Sequence, residues 1–169
     1  MATADRSSLP LLQLDPIPRL LSRARSELAA DFPPSGSFAI GRAPGRLDVM
    51  GGIADYTGSL VCEMPLACAA GVLTQPRQDG WLQVFSFTLL DEQRPFAARI
   101  AVDQLAKASL PQLRAEFSAP DRRWAGYLLG CLALLQHENL IDLARQAKGG
   151  LSLALLSDVP LGAGVSSSA

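Results

Sequence analysis

Residues 43–58 read Ala-Pro-Gly-Arg-Leu-Asp-Val-Met-Gly-Gly-Ile-Ala-Asp-Tyr-Thr-Gly, a run of four glycines, one arginine and two aspartates among apolar side chains. Glycine-rich turns can bring Arg46 and Asp55 to one wall of a pocket. A carboxylate beside a fork of N–H donors suits sugar hydroxyls or a phosphate group. A structural Arg–Asp pair at a turn explains the same residues equally well.

A second dense run ends the chain, where residues 160–169 read Pro-Leu-Gly-Ala-Gly-Val-Ser-Ser-Ser-Ala. Glycines can point successive N–H groups into one concavity, and a helix starting near Ser167 would add its positive dipole end. These features predict a phosphate-binding loop. The Gly-Lys-Ser of the Walker motif and the third glycine of GxGxxG are both absent. A flexible tail of small residues is the alternative, with equal weight on this segment alone.

Outside these two runs, the local patterns predict clustered strands with few helices between them, which favours an α+β fold. One helix begins at Asp15, an N-cap followed by Pro16, and ends at residues 32–34. A second helix runs from an Asp121 cap to about Glu138. Strands are expected over residues 37–42, 47–50, 59–63, 67–74, 81–88, 95–102 and 151–156. The expected inner face of the second helix consists of Trp124, Tyr127, Leu128, Cys131, Leu134 and Leu135.

The composition limits the class of protein. The chain has 169 residues, of which 49% are hydrophobic and 18% charged, so one folded domain is expected and global disorder is excluded. A net charge of −1 argues against nucleic acid or an anionic membrane surface as a partner. Neither a secretory signal nor a membrane-spanning run is evident, and a cytoplasmic location is the expectation. The three cysteines are predicted to be buried free thiols, without a disulfide or zinc site.

The two glycine-rich runs carry a family resemblance. Residues 43–58 resemble the sugar-binding signature of galactokinases, and residues 160–169 resemble the second motif of GHMP kinases, P-x-G-x-G-x-S-S-S-A. Residues 124–127 resemble the W-x-x-Y of the intervening helix. The order and separation of these motifs match as well. From about residue 15 onward, the chain thus resembles the N-terminal portion of a galactokinase- or L-arabinokinase-like GHMP kinase.

The resemblance implies an ATP- and Mg²⁺-dependent kinase that phosphorylates a small-molecule sugar at its anomeric hydroxyl. It assigns catalysis to Arg46, beside the transferring phosphoryl group. The implied sugar-binding residues are Asp48, Gly52, Ile53, Asp55 and Tyr56. The implied ATP-binding residues are Trp124, Pro160, Leu161, Gly162, Ala163, Gly164, Val165, Ser166, Ser167 and Ser168. Ser167 is the implied metal-binding hydroxyl, and a core aromatic on an amphipathic helix is the alternative for Trp124.

One departure from the galactokinase pattern bears on the sugar. Galactokinases usually read Gly-Glu-His-x-Asp-Tyr where this chain reads Gly-Gly-Ile-Ala-Asp-Tyr at residues 51–56. The lost Glu–His pair faces the exocyclic hydroxymethyl group of galactose in that family, and L-arabinopyranose lacks this group. The line also resembles plant-type L-arabinokinases. L-Arabinose is therefore the expected substrate, with galactose as the second candidate.

The same resemblance implies the domain organisation. Residues 1–14 form a lead-in, and residues 15–169 form an N-terminal GHMP kinase domain with a mixed sheet packed on helices, truncated at the phosphate-binding loop. The family's catalytic aspartate and third motif lie beyond this point, so residues 1–169 alone are expected to be inactive. Two alternatives to a kinase are a non-catalytic sugar- and ATP-binding regulator on the same fold and an inactive fragment.

Overall fold

The computed structural model describes residues 15–160 and 162–165, except for the side chains of residues 53 and 55. Five strands and six α-helices are present in that part of the chain, with one 3₁₀ helix. In chain order they are α1 (Pro16–Glu27), β1 (Ala39–Met50), the 3₁₀ helix (Gly52–Thr57), β2 (Cys62–Pro76), β3 (Trp81–Ser86), α2 (Phe87–Asp91), β4 (Ala97–Ala101), α3 (Val102–Lys107), α4 (Leu110–Glu116), α5 (Ala125–His137), α6 (Leu143–Gln146) and β5 (Gly150–Ser157).

The strands form one mixed sheet with the order β1-β2-β5-β3-β4. The β1–β2, β2–β5 and β3–β4 pairs are antiparallel, and β3 pairs with β5 in parallel. The last described strand therefore lies in the middle of the sheet, between strands that precede it in the chain. The predicted α+β class with a mixed sheet is confirmed.

Helix α1 begins where the sequence predicts. The Asp15 carboxylate accepts a hydrogen bond from the Ile17 N–H at 3.2 Å, and Pro16 occupies the first helical position. The helix packs on β2 and β5. Its approach is closest at Gly71 of β2, where an added Cβ would lie 2.8 Å from Ile17 Cδ1. Glycine at this position lets the helix approach the strand, and Leu20 and Ala24 are fully buried there.

Two apolar clusters cover opposite faces of the sheet. Successive residues of β5, Leu153 and Ala154, belong to different clusters, as do Val84 and Phe85 of β3. The first cluster joins the sheet to α3, α4, α5 and α6, and the second joins it to α1 and α2. Strand β5 is thus covered on both faces.

Both long strands were predicted as two separate strands each. Strand β1 continues through residues 43–46, with a register shift between Pro44 and Arg46. Pro44 is tolerated because β1 is an edge strand with a neighbour on one side only. Strand β2 continues similarly across residues 64–66. The predicted strand over residues 81–88 ends early, because the Ser86 hydroxyl accepts from the Leu89 N–H and caps α2.

The predicted inner face of the second long helix is wrong at four of its six residues, because only Trp124 and Leu128 pack against the first apolar cluster. Helix α5 starts at Ala125 rather than after an Asp121 cap, and its buried residues are Ala125, Leu129 and Ala133. Residues expected inside, such as Tyr127 and Leu134, are exposed. The helix is apolar on every side, so its sequence does not identify the buried stripe. Small residues face inward because the packing is close: an added Cβ on Gly126 would lie 3.3 Å from Phe117.

The prediction of buried cysteines is also wrong. Cys62 and Cys131 are exposed and Cys68 is half-buried, although all three are free thiols as expected. Their exposure follows from the strand and helix faces on which they lie, Cys62 at the uncovered end of β2 and Cys131 on the outer side of α5. No helix in the described ranges is long and apolar enough to cross a membrane.

Candidate functional site

The candidate site is built on the hairpin formed by the ends of β1 and β2. Beyond the register shift after Pro44, Arg46 lies opposite Pro65 and Asp48 lies opposite Glu63. Alternation along a strand places Arg46 and Asp48 on one face of β1, and Glu63 shares that face from β2. One cation and two carboxylates therefore lie together on the hairpin.

Arg46 forms an ion pair across the hairpin. Its Nη1 lies 3.1 Å from Oε1 of Glu63, with the arginine side chain 50% exposed and the glutamate 27% exposed. The carboxylate is thus the more enclosed partner, and the guanidinium extends toward solvent. Sequence analysis did not identify Glu63 as a functional residue. The available signal was a single carboxylate within the apolar run at residues 60–64.

Asp48 contacts its own chain. Its Oδ2 accepts a hydrogen bond from the Gly52 N–H at 2.6 Å, which ties β1 to the start of the 3₁₀ helix. Gly51 and Gly52 both have positive φ, and an added Cβ on Gly51 would lie 2.5 Å from the Val61 side chain. Glycine is required at residue 51 by both its backbone conformation and the close contact.

Four of the five residues predicted to bind sugar lie on the 3₁₀ helix, whereas Asp48 lies near the end of β1. The Gly52 backbone is exposed, and apart from its two chain neighbours no described residue has an atom within 4 Å of a Cβ added there. The Tyr56 side chain is 90% exposed. The side chains of Ile53 and Asp55 lie outside the described part of the structure, so the predicted approach of Asp55 to Arg46 stays a prediction.

The glycine-rich run reaches this hairpin from the other end of the chain. The Arg46 backbone N–H donates a hydrogen bond to the Val165 carbonyl at 3.1 Å. Val159 packs against the β1 backbone, its Cγ1 3.3 Å from a Cβ added to Gly45. The structure therefore brings the two motifs into contact. The Pro160 side chain is exposed, while Leu161, Ser166, Ser167 and Ser168, with the predicted helix start and metal contact, lie outside the described residues.

The described part of the loop has a backbone suited to turning N–H groups toward a ligand. Gly162 and Gly164 have φ of 72° and 69°, in the left-handed region that favours glycine. Among the described residues, apart from chain neighbours, no atom lies within 4 Å of a Cβ added to either residue. Positive φ therefore accounts for these glycines. Ala163 lies between them and is exposed.

Trp124 lies in another part of the molecule. It precedes α5, which packs on α3, α4 and β3, and β3 is three strands away from β1. The indole packs against the first apolar cluster, and its buried Nε1 has no hydrogen-bond partner among the described residues. An unpaired buried N–H costs about 1–3 kcal/mol. If Trp124 is only a core aromatic residue, its packing is explained but its unpaired indole N–H is not.

The polar groups at this site are better suited to bind a phosphate group than a metal ion. A half-exposed guanidinium and a loop with left-handed glycines are groups that bind phosphate oxygens. Within residues 15–160 and 162–165, no three His, Cys, Asp or Glu side chains are grouped to hold a metal ion. The magnesium contact predicted at Ser167 lies outside the described residues.

Comparison with curated proteins supports the resemblance over most of the chain, although no family model matches it. The L-arabinokinase of Arabidopsis thaliana is 33% identical over 156 residues, covering 77% of this chain and 15% of the relative. The galactokinase of Canis lupus familiaris is 31% identical, covering 89% of this chain and 34% of the relative. The chain thus spans about a third or less of the relatives it matches.

Solved structures show the same fold. Galactokinase from Lactococcus lactis complexed with galactose superposes with a TM-score of 0.63 at 20% identity, covering 88% of this chain and 33% of that one. Mevalonate kinase from Methanococcus jannaschii gives a TM-score of 0.57 at 15% identity, covering 78% and 36% of the two chains. Fold and motifs together place the chain among the GHMP kinases. Within that group, it is related to galactokinase and L-arabinokinase, each of which it matches in part.

Proposed function

We propose that the polypeptide carrying this chain is an ATP-dependent sugar 1-kinase that acts on L-arabinose, with galactose as the second candidate substrate. The observation that carries this proposal is the hydrogen bond from the Arg46 N–H to the Val165 carbonyl. It joins a motif that resembles a sugar-binding signature to a motif that resembles a phosphate-binding loop. A kinase requires this proximity, because sugar hydroxyl and phosphoryl group must meet within bonding distance.

Arg46 is the proposed catalytic residue of this chain. ATP, bound with Mg²⁺, supplies the γ-phosphoryl group. Phosphoryl transfer depends on positioning and on stabilising charge that develops on the transferring oxygens. The Arg46 guanidinium is permanently charged and half-exposed, and the backbone of Arg46 contacts the loop. It suits both tasks, since its planar donors fix direction as well as charge.

The loop over residues 160–168 is proposed to bind the ATP phosphates through its backbone N–H groups, with Ser167 holding the metal ion. Left-handed Gly162 and Gly164 support this, because such turns aim N–H groups into one concavity. Trp124 is proposed to lie on the adenine side. Its unpaired indole N–H would gain an acceptor from a ligand there.

The proposed sugar side consists of Asp48, Gly52, Ile53, Asp55 and Tyr56. Asp55 is the proposed acceptor for ring hydroxyls, while Asp48 supports the turn through its bond to Gly52. The lack of a side chain at Gly52 supports the pentose preference, because galactokinases usually carry glutamate at this position. A sugar site without the polar side chains usual in galactokinases loses its preference for a sugar that carries the extra hydroxymethyl group.

The test is a substrate panel on the full-length polypeptide that carries this chain. L-Arabinose and galactose are compared side by side, with kcat/KM measured by coupled ADP release and the phosphorylated carbon identified by ³¹P NMR. We expect phosphate on the anomeric carbon and a higher kcat/KM for L-arabinose. A higher value for galactose would overturn the substrate assignment. ATP and sugar binding without turnover would instead support the regulator.

A paired variant tests why the preference exists. Gly52→Glu with Ile53→His restores the usual galactokinase pair, and we expect the preference to move toward galactose by tenfold or more, on the order of one recovered hydrogen-bonding contact. Glu116→Gln is the matched control, because it alters a surface ion pair on α4 instead of the hairpin. An unchanged substrate ratio in the paired variant would contradict the proposed role of residues 52 and 53.

A further inference from the structure

We propose that Glu63 is a positioning residue for Arg46, an inference that rests on the proposed function of this site. The two residues come from neighbouring strands and are not directly opposite. Glu63 is opposite Asp48, and Arg46 is opposite Pro65. The ion pair is therefore diagonal across the hairpin, within the reach that long side chains have in a sheet.

The geometry makes the carboxylate the more enclosed partner. Glu63 is 27% exposed and Arg46 is 50% exposed. A guanidinium presents five N–H donors in one rigid plane. Fixing Nη1 at 3.1 Å from Oε1 thus sets the direction of the remaining donors. A phosphoryl oxygen bound at this site would meet the guanidinium in that plane.

The pair is poorly explained as a device for stability. Ion pairs in which one partner is half-exposed contribute little to folding. Glu63 moreover lies directly opposite Asp48, and like charges at opposite positions of a sheet repel. A neutral side chain at residue 63 would avoid that repulsion. A carboxylate at this place therefore has a cost for the hairpin, which the Arg46 cation offsets.

A role in positioning Arg46 explains the carboxylate of Glu63, whereas a role in stability does not. Arginine loses considerable side-chain entropy when it is immobilised. A guanidinium already oriented by Glu63 loses part of that entropy before the substrates bind, so less of it opposes the transition state. Glu63 acts through Arg46 in this scheme and contacts no reacting atom. The expected signature is a change in kcat with little change in the KM of sugar or ATP.

The kinetic experiment uses the full-length polypeptide with Glu63→Gln, Glu63→Met and the control Glu116→Gln. Glu63→Gln keeps an acceptor without the charge, and we expect kcat to fall about tenfold. Glu63→Met removes both the acceptor and the charge, and we expect kcat to fall about a hundredfold at similar KM. Glu116→Gln removes the charge from an ion pair of comparable exposure with Arg122 and should leave kcat unchanged. Unchanged kcat in both Glu63 variants would overturn the proposal.

A double-mutant cycle separates positioning from an independent role. In an Arg46→Ala background, the Glu63 substitutions should have no further effect, because the group they orient is gone. Full additivity of the Arg46 and Glu63 effects would overturn the proposal. Glu63→Gln is nearly isosteric and relieves repulsion with Asp48, so its Tm should not fall. This variant keeps the test valid if Glu63→Met fails to fold.

An activity-independent readout distinguishes failure of this inference from failure of the proposed function. Arginine-selective ¹⁵N labelling reports rotation of the Arg46 guanidinium, with its signal assigned through Arg46→Lys. We expect hindered rotation in the parent polypeptide and faster rotation in Glu63→Gln. Equal rotation in both would overturn the positioning role whether or not any sugar is phosphorylated. Hindered rotation without turnover would retain the positioning role and contradict the kinase proposal.

Discussion

The Arg46 backbone N–H donates to the Val165 carbonyl, although β1 and β5 are not neighbours in the sheet. Strand β2 lies between them, so the chain leaving β5 at Ser157 crosses β2 near its middle to reach β1. Two further contacts follow this crossing: the Asp158 N–H donates to the Ala69 carbonyl of β2, and Val159 packs at Gly45 of β1. The glycine-rich loop is thereby attached to the strand that carries the proposed catalytic arginine.

Replacing Arg46 tests the proposed catalytic role. We expect Arg46→Ala in the full-length polypeptide to lower kcat about 10²–10³-fold, the range for removing one charge-stabilising donor. Arg46→Lys should recover only part of the loss, because an ammonium lacks the planar fork. Steady-state kinetics check both, with Tm as the folding control. The β1–loop hydrogen bond uses only the backbone of residue 46. Turnover at the parent rate in Arg46→Ala would remove Arg46 from the mechanism.

Arg77 is expected to be important for stability. Its Nη1 lies 2.5 Å from Asp31 Oδ1 and donates to the Ser152 hydroxyl at 2.9 Å, while its Nη2 donates to Asp79. Ser152 is fully buried. Arg77→Met would leave that hydroxyl and the partly enclosed Asp31 carboxylate without their donor. We expect a loss of about 2–3 kcal/mol in the free energy of unfolding.

Urea titration of the Arg77→Met polypeptide provides this measurement. Arg94→Met is the matched control, because Arg94 forms a similar ion pair with Glu92 in which both side chains are largely exposed. The control should change the free energy of unfolding by less than about 0.5 kcal/mol. Equal effects of the two substitutions would show that the enclosed hydrogen bonds of Arg77 contribute nothing beyond surface charge.

The Arg77–Asp79 pair predicts weakening in acid. The side-chain hydrogen bond from Arg77 lowers the pKa of Asp79 from 3.8 to about 2. A carboxyl whose folded-state pKa is depressed contributes stability that is present above the unfolded pKa and lost as pH falls through the folded pKa. The contribution should therefore disappear between about pH 4 and pH 2. It is modest, because the Asp79 side chain is 44% exposed.

Asp79→Asn isolates this contribution. The variant should be less stable than the parent at about pH 5, and the difference should shrink to near zero by about pH 2. Chemical denaturation at several pH values measures it. Glu92→Gln serves as the exposed control. A difference between parent and Asp79→Asn that stays constant over this range would show that Asp79 titrates normally in the folded state.

Gly150 is predicted to be among the least replaceable residues. It has a φ of 97° and starts β5 beside Trp81, where an added Cβ would lie 2.3 Å from the Trp81 carbonyl oxygen. Both the left-handed backbone and the contact with another backbone oppose any side chain. We expect Gly150→Ala to lower the free energy of unfolding by at least about 3 kcal/mol.

Gly41 provides the comparison for Gly150. It lies in β1, and in the described part of the chain, apart from its two neighbours, no atom lies within 4 Å of a Cβ added there. Gly41→Ala should change the free energy of unfolding by no more than about 0.5 kcal/mol. Both values come from urea unfolding curves monitored by circular dichroism. Similar stability of the two alanine variants would mean that the β3–β5 junction relaxes around residue 150.

Local sequence patterns were sufficient to predict some helices and strands and to identify the two motifs. The Asp15 cap and Pro16 determine the start of α1 because a cap bond spans only two residues. The apolar run at residues 151–156 predicts a buried strand, and β5 is covered on both faces. The fold class and the resemblance to galactokinase and L-arabinokinase also came from the sequence, since both motifs are contiguous.

Other features depended on contacts between distant segments. The buried stripe of α5 was mistaken because a helix that is apolar all round takes its inner face from its neighbours. The pairing of Arg46 with Glu63 depends on a register shift after Pro44. The contact of Arg46 with Val165 depends on the strand order. The sequence thus determined the chemical groups and the local starts of elements, whereas sheet register and strand order decided which of those groups meet.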